Sequence, residues 1–260
     1  MVVDWLKTAL LFAGCTACIA EQPASIVASR QQRQPIPQQP LAAHGQGVAL
    51  IFIGGFGDEI SGIMPHLLAE LPAPATPETR AYYHWHAGYP ADCSQGAAAL
   101  AMHIRAYRRT NPEADVVLIG HSMGASMALR VAAEIEPQEG RIFLVTLDPA
   151  DRSYTPLRSP SVAWWGNAYV VNSQSGHDYI AELGGRWNAC AGADINLRFD
   201  GRLADEAGYL YIHDNAFSLM CSRGRGRHAS LWDILRKHLR TKAETAPASG
   251  MPKPLPQTKP

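Results

Sequence analysis

Short, continuous apolar runs separated by stretches of helical spacing restrict the fold of this chain more than any other feature. Gly47-Val48-Ala49-Leu50-Ile51-Phe52-Ile53, Val116-Val117-Leu118-Ile119 and Ile142-Phe143-Leu144-Val145-Thr146-Leu147 lack the polar alternation of a half-exposed strand. Each therefore reads as a strand buried on both faces. Ala81–Trp85 and Ala168–Val171 read as two further short strands. Between them, Gln95 to Thr110 spaces its apolar residues as a helix does and stops at Asn111-Pro112, and Ser122 to Glu136 does the same ahead of Pro137. Strands that alternate with helices need crossover connections, so the expected fold class is α/β, with a mostly parallel central sheet and helices on both faces. In such a sheet reactive groups gather at the carboxyl ends of the strands.

This pattern occupies roughly residues 47–240 of the 260, one domain's worth of chain without an internal repeat. Residues 1–20 differ from it. After Asp4 and Lys7, a short apolar run from Ala9 to Gly14 meets Cys15, which suits the central region of an export signal. Phe12-Ala13-Gly14-Cys15 resembles a bacterial lipobox, although Phe12 stands where leucine is usual. The resemblance implies lipidation of Cys15 and attachment to a membrane on the periplasmic side of a bacterial cell envelope. Residues 21–46, rich in Gln, Pro, Ala and Ser, read as a flexible tether, and the proline-rich residues 241–260 as a disordered tail.

Charge excludes one class of partner. Lys and Arg number 23, as do Asp and Glu, and the one basic cluster, Arg223, Arg225 and Arg227, is short and spaced by glycines. Binding to nucleic acid needs a basic stripe that displaces counterions from phosphates, which this chain lacks. With Cys15 lipidated, Cys18, Cys93, Cys190 and Cys221 remain, an even set open to pairing in an oxidising compartment or to packing as small hydrophobes. No Cys-x-x-Cys falls within the expected domain, so a zinc site is not expected.

The motif that carries chemistry is Gly120-His121-Ser122-Met123-Gly124. It fits G-x-S-x-G, and it lies between a buried strand and a helical stretch, the setting in which a serine is lifted on a tight turn above the sheet edge. A serine that merely caps a helix is the alternative reading. Here the chain resembles the α/β-hydrolases, on their lipase and esterase side, over about residues 47–240. The resemblance extends to two further segments. Gly54-Gly55-Phe56-Gly57-Asp58, directly after the first strand, looks like the family's oxyanion loop, with Gly54 where many members carry histidine. It implies that the backbone N–H groups of Phe56 and Met123 face the developing oxyanion. The segment lacks the spacing and the terminal Lys-Ser/Thr of a phosphate loop. Thr146-Leu147-Asp148-Pro149-Ala150-Asp151 looks like the Leu-Asp-Pro-Ala segment that carries the acid in pancreatic-type lipases. Asp148 is thus the expected acid, and Asp151 reads as the cap of a turn.

The family order, Ser then Asp then His, places the base downstream. His177, His213 and His228 qualify by order. His177 falls too early, at a helix start. His213 follows the strand-like Tyr209-Leu210-Tyr211-Ile212, and His228 opens the last helix after an Arg/Gly loop. His213 is preferred because the strand-like run leads directly into it, and His228 stays open. The implied chemistry is hydrolysis of carboxylic, lipid-like esters through an acyl-enzyme, with no metal or organic cofactor. Ser161 to Gly166, with its adjacent Trp164 and Trp165, reads as a small cap lining an acyl site or as core. A thioester substrate is the nearest alternative, and a non-catalytic envelope protein that binds a ligand on the same fold is the alternative from another class.

Overall fold

The computed structural model describes residues 38–42, 47–74, 77–84, 90–173, 176–223 and 227–245. The expected leader with Cys15, Cys18, most of the tether and the end of the tail lie outside the described residues. Among the described residues six strands form one sheet: β1 (Val48–Gly54), β2 (Glu78–His84), β3 (Val116–His121), β4 (Ile142–Leu147), β5 (Val162–Val171) and β6 (Ile195–Asp200). Their order is β2-β1-β3-β4-β5-β6, and every pair is parallel. The chain starts inside the sheet, steps to β2, then crosses back over β1 to β3 and continues outward. That reversal opens a crevice above the carboxyl ends of β1 and β3, the place where α/β sheets bind ligands.

The helices are α1 (Asp58–Ser61), α2 (Ile63–Glu70), α3 (Pro90–Thr110), α4 (Met123–Glu134), α5 (Gly176–Gly184), α6 (Ala216–Cys221) and α7 (Leu231–Thr245). Residues of β1 alternate between two cores. Leu50 and Phe52 join Val117, Ile119 and Val145 under α2, α6 and α7. Ala49, Ile51 and Ile53 join Leu118 and Leu144 under α3 and α4. Both faces are covered, so a polar residue in a central strand needs a buried partner, as Thr146 and Asn167 find in each other, and the largely continuous apolar runs follow. Burying one such leucine or isoleucine contributes about 2 kcal/mol. This is the expected α/β architecture, and the β4–β5 connection of residues 148–161 carries no helix.

Several expectations are corrected. The fifth strand begins at Val162, not Ala168, so Trp164 and Trp165 belong to the sheet rather than to a cap. Successive side chains of a strand point to opposite faces. Trp165 accordingly enters the α3–α4 core and donates Nε1–H to Thr146 Oγ1 at 3.0 Å, while Trp164 joins the other core. Tyr209–Ile212 is not a strand. It is an irregular turn held by Tyr211 N–H on Leu203 O at 3.1 Å and an isolated bridge between Ala204 and Leu210. The last strand is β6, whose polar–apolar alternation, Ile195-Asn196-Leu197-Arg198-Phe199-Asp200, marks an edge strand.

The boundaries at residues 46 and 240 also move. Gln39 exchanges both backbone hydrogen bonds with Tyr82 at 2.9 and 2.8 Å, and Leu41 is buried, its N–H donating to Tyr83 Oη. A single bridge needs only backbone groups, so composition gave no sign of it. At the other end α7 runs to Thr245. Cys190 and Cys221 are free thiols in the two opposite cores, which leaves them as small hydrophobes. Burial pushes the Cys190 thiol up to about 11, and burial with the nearby Asp233 pushes Cys221 up to about 12. The Cys93 side chain lies outside the described residues. Among the described residues no helix is long and apolar enough to cross a membrane.

Candidate active site

Three non-glycine residues among those described have positive φ: Ser122 at 54°, Asp148 at 39° and Asn172 at 57°. Each directly follows a strand, β3, β4 and β5 respectively. Strained backbone persists only where its surroundings over-determine it, and here it collects along one edge of the sheet. Ser122, with ψ of −127°, is held from both sides: its N–H donates to Leu147 O at 3.1 Å and its carbonyl accepts Ala150 N–H at 3.2 Å. The turn is closed by contact. A Cβ on Gly120 would lie 2.5 Å from Gly124 O, and one on Gly124 would lie 2.1 Å from Ile53 O. Side chains at either position would push α4 off the sheet.

On this turn Ser122 Oγ lies 3.0 Å from His213 Nε2, and His213 Nδ1 lies 2.7 Å from Asp148 Oδ2. Asp148 is wholly buried, and its Oδ1 accepts Val170 N–H at 2.9 Å. A buried carboxylate accepts hydrogen bonds, so the imidazole carries its proton on Nδ1 and turns the Nε2 lone pair toward the serine hydroxyl. The structure thus brings together Ser122, His213 and Asp148. His228 is exposed ahead of α7, and the His177 side chain lies outside the described residues. Asp151 caps a turn, its Oδ1 accepting Ser153 N–H at 2.8 Å and Ser153 Oγ–H at 2.7 Å.

His213 has no strand or helix to hold it, yet all four of its polar groups are engaged. Besides Ser122 and Asp148, its carbonyl accepts Nε2–H of His121 at 2.7 Å and its N–H donates to Asp178 Oδ1 at 3.3 Å. His121 is buried beneath it, with ring centroids 4.7 Å apart. Burial, then the neighbouring His213, hold the His121 imidazole down to about 4, so it is neutral at physiological pH. Sequence reading singled out His121 only as part of the motif and missed Asp178. It also missed Arg186, whose Nη2 lies 3.0 Å from Asp148 Oδ2.

The loop after β1 wraps the same turn. A Cβ on Gly55 would lie 2.8 Å from Ser122 Cβ and 3.0 Å from Met123 N, so only glycine fits there and the loop backbone reaches the serine turn. Asp58 anchors the loop from below, accepting Tyr82 Oη–H at 2.9 Å and Met64 N–H at 3.1 Å. A Cβ on Gly54 would lie 2.1 Å from Asp58 Oδ2. The Asp58 carboxylate fills the space that a histidine at position 54 would need. Phe56 follows with its side chain largely exposed.

No protein-family model matches the chain, and no curated protein matches it. Among solved structures, one described as "RedJ with PEG molecule bound in the active site" is similar at 13% identity with a TM-score of 0.35, covering 83% of this chain and 98% of that one. Among the described residues, no group of three or more His, Cys, Asp or Glu is disposed to hold a metal ion.

Proposed function

We propose that this protein is a serine hydrolase that cleaves carboxylic esters. The reading rests on one observation: an unbroken hydrogen-bonded line from Asp148 through His213 to Ser122, the serine standing on a strained turn above the sheet. In the mechanism this supports, Ser122 Oγ attacks the ester carbonyl carbon while His213 Nε2 takes the hydroxyl proton. The tetrahedral intermediate carries its negative charge toward the backbone N–H groups of Phe56 and Met123. It collapses by breaking the bond to the alcohol oxygen, to which His213 returns the proton. Water, deprotonated by the same nitrogen, then attacks the acyl carbon; the bond to Ser122 Oγ breaks, His213 returns the proton to that oxygen, and the carboxylic acid leaves. Asp148 holds the imidazole in the required tautomer and stabilises its cation throughout. An oxyanion donor of this kind contributes about 3 kcal/mol to transition-state stabilisation.

The test is hydrolysis of short p-nitrophenyl esters by the wild type and by Ser122→Ala. The expected result is a rate in the wild type that falls at least about a thousandfold in a variant whose thermal unfolding is unchanged. Equal rates from the two proteins would overturn the reading.

A further inference from the structure

The residue at the acid is unusual for its charge. Arg186 is almost wholly buried, as are Asp148 and Asp178, with which it pairs. Arg186 Nη2 approaches the same Asp148 Oδ2 that accepts His213 Nδ1–H, and it also pairs with Asp178 Oδ1. That Asp178 oxygen accepts the backbone N–H of His213. The contacts close a ring: His213 Nδ1, Asp148 Oδ2, Arg186 Nη2, Asp178 Oδ1 and His213 N. We propose that Arg186 and Asp178 are a paired-charge clamp that positions Asp148 and His213 while adding no net charge beside the His213 ring.

The clamp comes from a part of the chain distant in sequence from Ser122. After α5 the chain reverses at Gly185, with φ of 83°, and bridges Arg186 to Ala150. Trp187 N–H donates to Pro149 O at 2.8 Å and Asp151 N–H to Gly185 O at 3.2 Å, so the guanidinium is delivered beside the segment that carries Asp148. Asp178, in the first turn of α5, is fixed from the other side by Ser173 Oγ–H. A lone guanidinium on Asp148 would repel a proton from His213, because like charges disfavour one another in a buried site. Asp178 cancels that charge. The buried set Asp148, Arg186 and Asp178 then carries one net negative charge, as Asp148 would alone, but with both carboxylates bridged by Arg186 Nη2. The other charged or titratable groups near the ring are His121 beneath it, the adjacent Asp214, and the exposed Glu182, which pairs with Arg186 Nη1.

The clamp rests on the hydrolase reading for its purpose but not for its measurement. The ring titration of His213 is followed by NMR in the Ser122→Ala background, assigned by the signal lost in His213→Gln, and the pH profile of kcat/KM is recorded with Ser122 present. Arg186→Met is expected to raise the midpoint by about one pH unit and Asp178→Asn to lower it by about the same, since each removes one charge of opposite sign. The double variant returns the midpoint to that of the wild type while kcat stays reduced about tenfold or more by the lost bracing. Arg186→Lys keeps the midpoint and loses part of kcat. If Arg186→Met does not fold, the downward shift in Asp178→Asn and the unmoved midpoint in Arg186→Lys carry the test. Midpoints that stay fixed, or that move in one direction in both folded single variants, overturn the clamp. Shifts as expected in a protein that hydrolyses no ester leave the clamp standing and overturn the hydrolase reading instead.

Discussion

Two aspartates three residues apart show how differently the same side chain is used. Asp148 is wholly buried, sits at φ of 39° and accepts His213 Nδ1–H, whereas Asp151 closes a turn with Ser153 and approaches Arg130 at 3.9 Å. Asp148→Asn is expected to reduce kcat about 10⁴-fold by favouring the wrong imidazole tautomer, while Asp151→Asn stays within about threefold of the wild type, both read as ester hydrolysis at neutral pH. Ser122 and Asp148 were legible because each is tied to a strand end by a few consecutive residues. Chain order narrowed the base only to His177, His213 and His228, and the strand-like run that favoured His213 among them is a turn in the structure. Arg186 was not legible. Its contact with Asp148 exists only once α5 has folded back, and the one local sign, an i,i+4 pairing of Glu182 with Arg186, is common on helix surfaces.

At the scale of elements, the central strands could be read because both their faces are covered, and β6 was passed over because an edge strand carries half as many apolar residues. The tryptophan pair misled for a related reason: a large aromatic side chain suits a substrate site and a sheet core equally, and only the register of β5 decides between them. The glycines of the serine turn are better discriminators. Gly124→Ala puts a methyl against the Ile53 carbonyl and is expected to lower the unfolding free energy by about 3 kcal/mol. Gly57→Ala, at φ of 73° but with open space around the new Cβ, costs about 1 kcal/mol. Denaturant midpoints of the two variants against the wild type check the contrast.

For the molecule as a whole, the buried His121 makes stability depend on acidity. Its ordinary value in the unfolded chain is about 6.5, and in the folded protein burial and His213 bring it to about 4. Above both values neither state binds the proton. Between them only the unfolded chain does, so stability falls as pH drops from about 6.5 to 4, by at most about 3 kcal/mol. His121→Gln, which keeps an N–H for the His213 carbonyl, is expected to show a shallower loss of Tm across that window than the wild type. An equally steep loss would assign the acid sensitivity to the carboxylates.

The margins of the sheet bear on how the protein behaves in company. Along β2 the hydrogen-bonding groups of Tyr82 are taken by Gln39, and along β6 the exposed Arg198 stands in the middle of the strand. A bare strand margin is a template on which a neighbouring chain can add its own strand. The β2 margin is covered at Tyr82 by the chain's own Gln39, and the β6 margin carries the charge of Arg198 at its middle. The pairing of Gln39 with Tyr82 thus occupies a position on this margin where a second chain would otherwise pair.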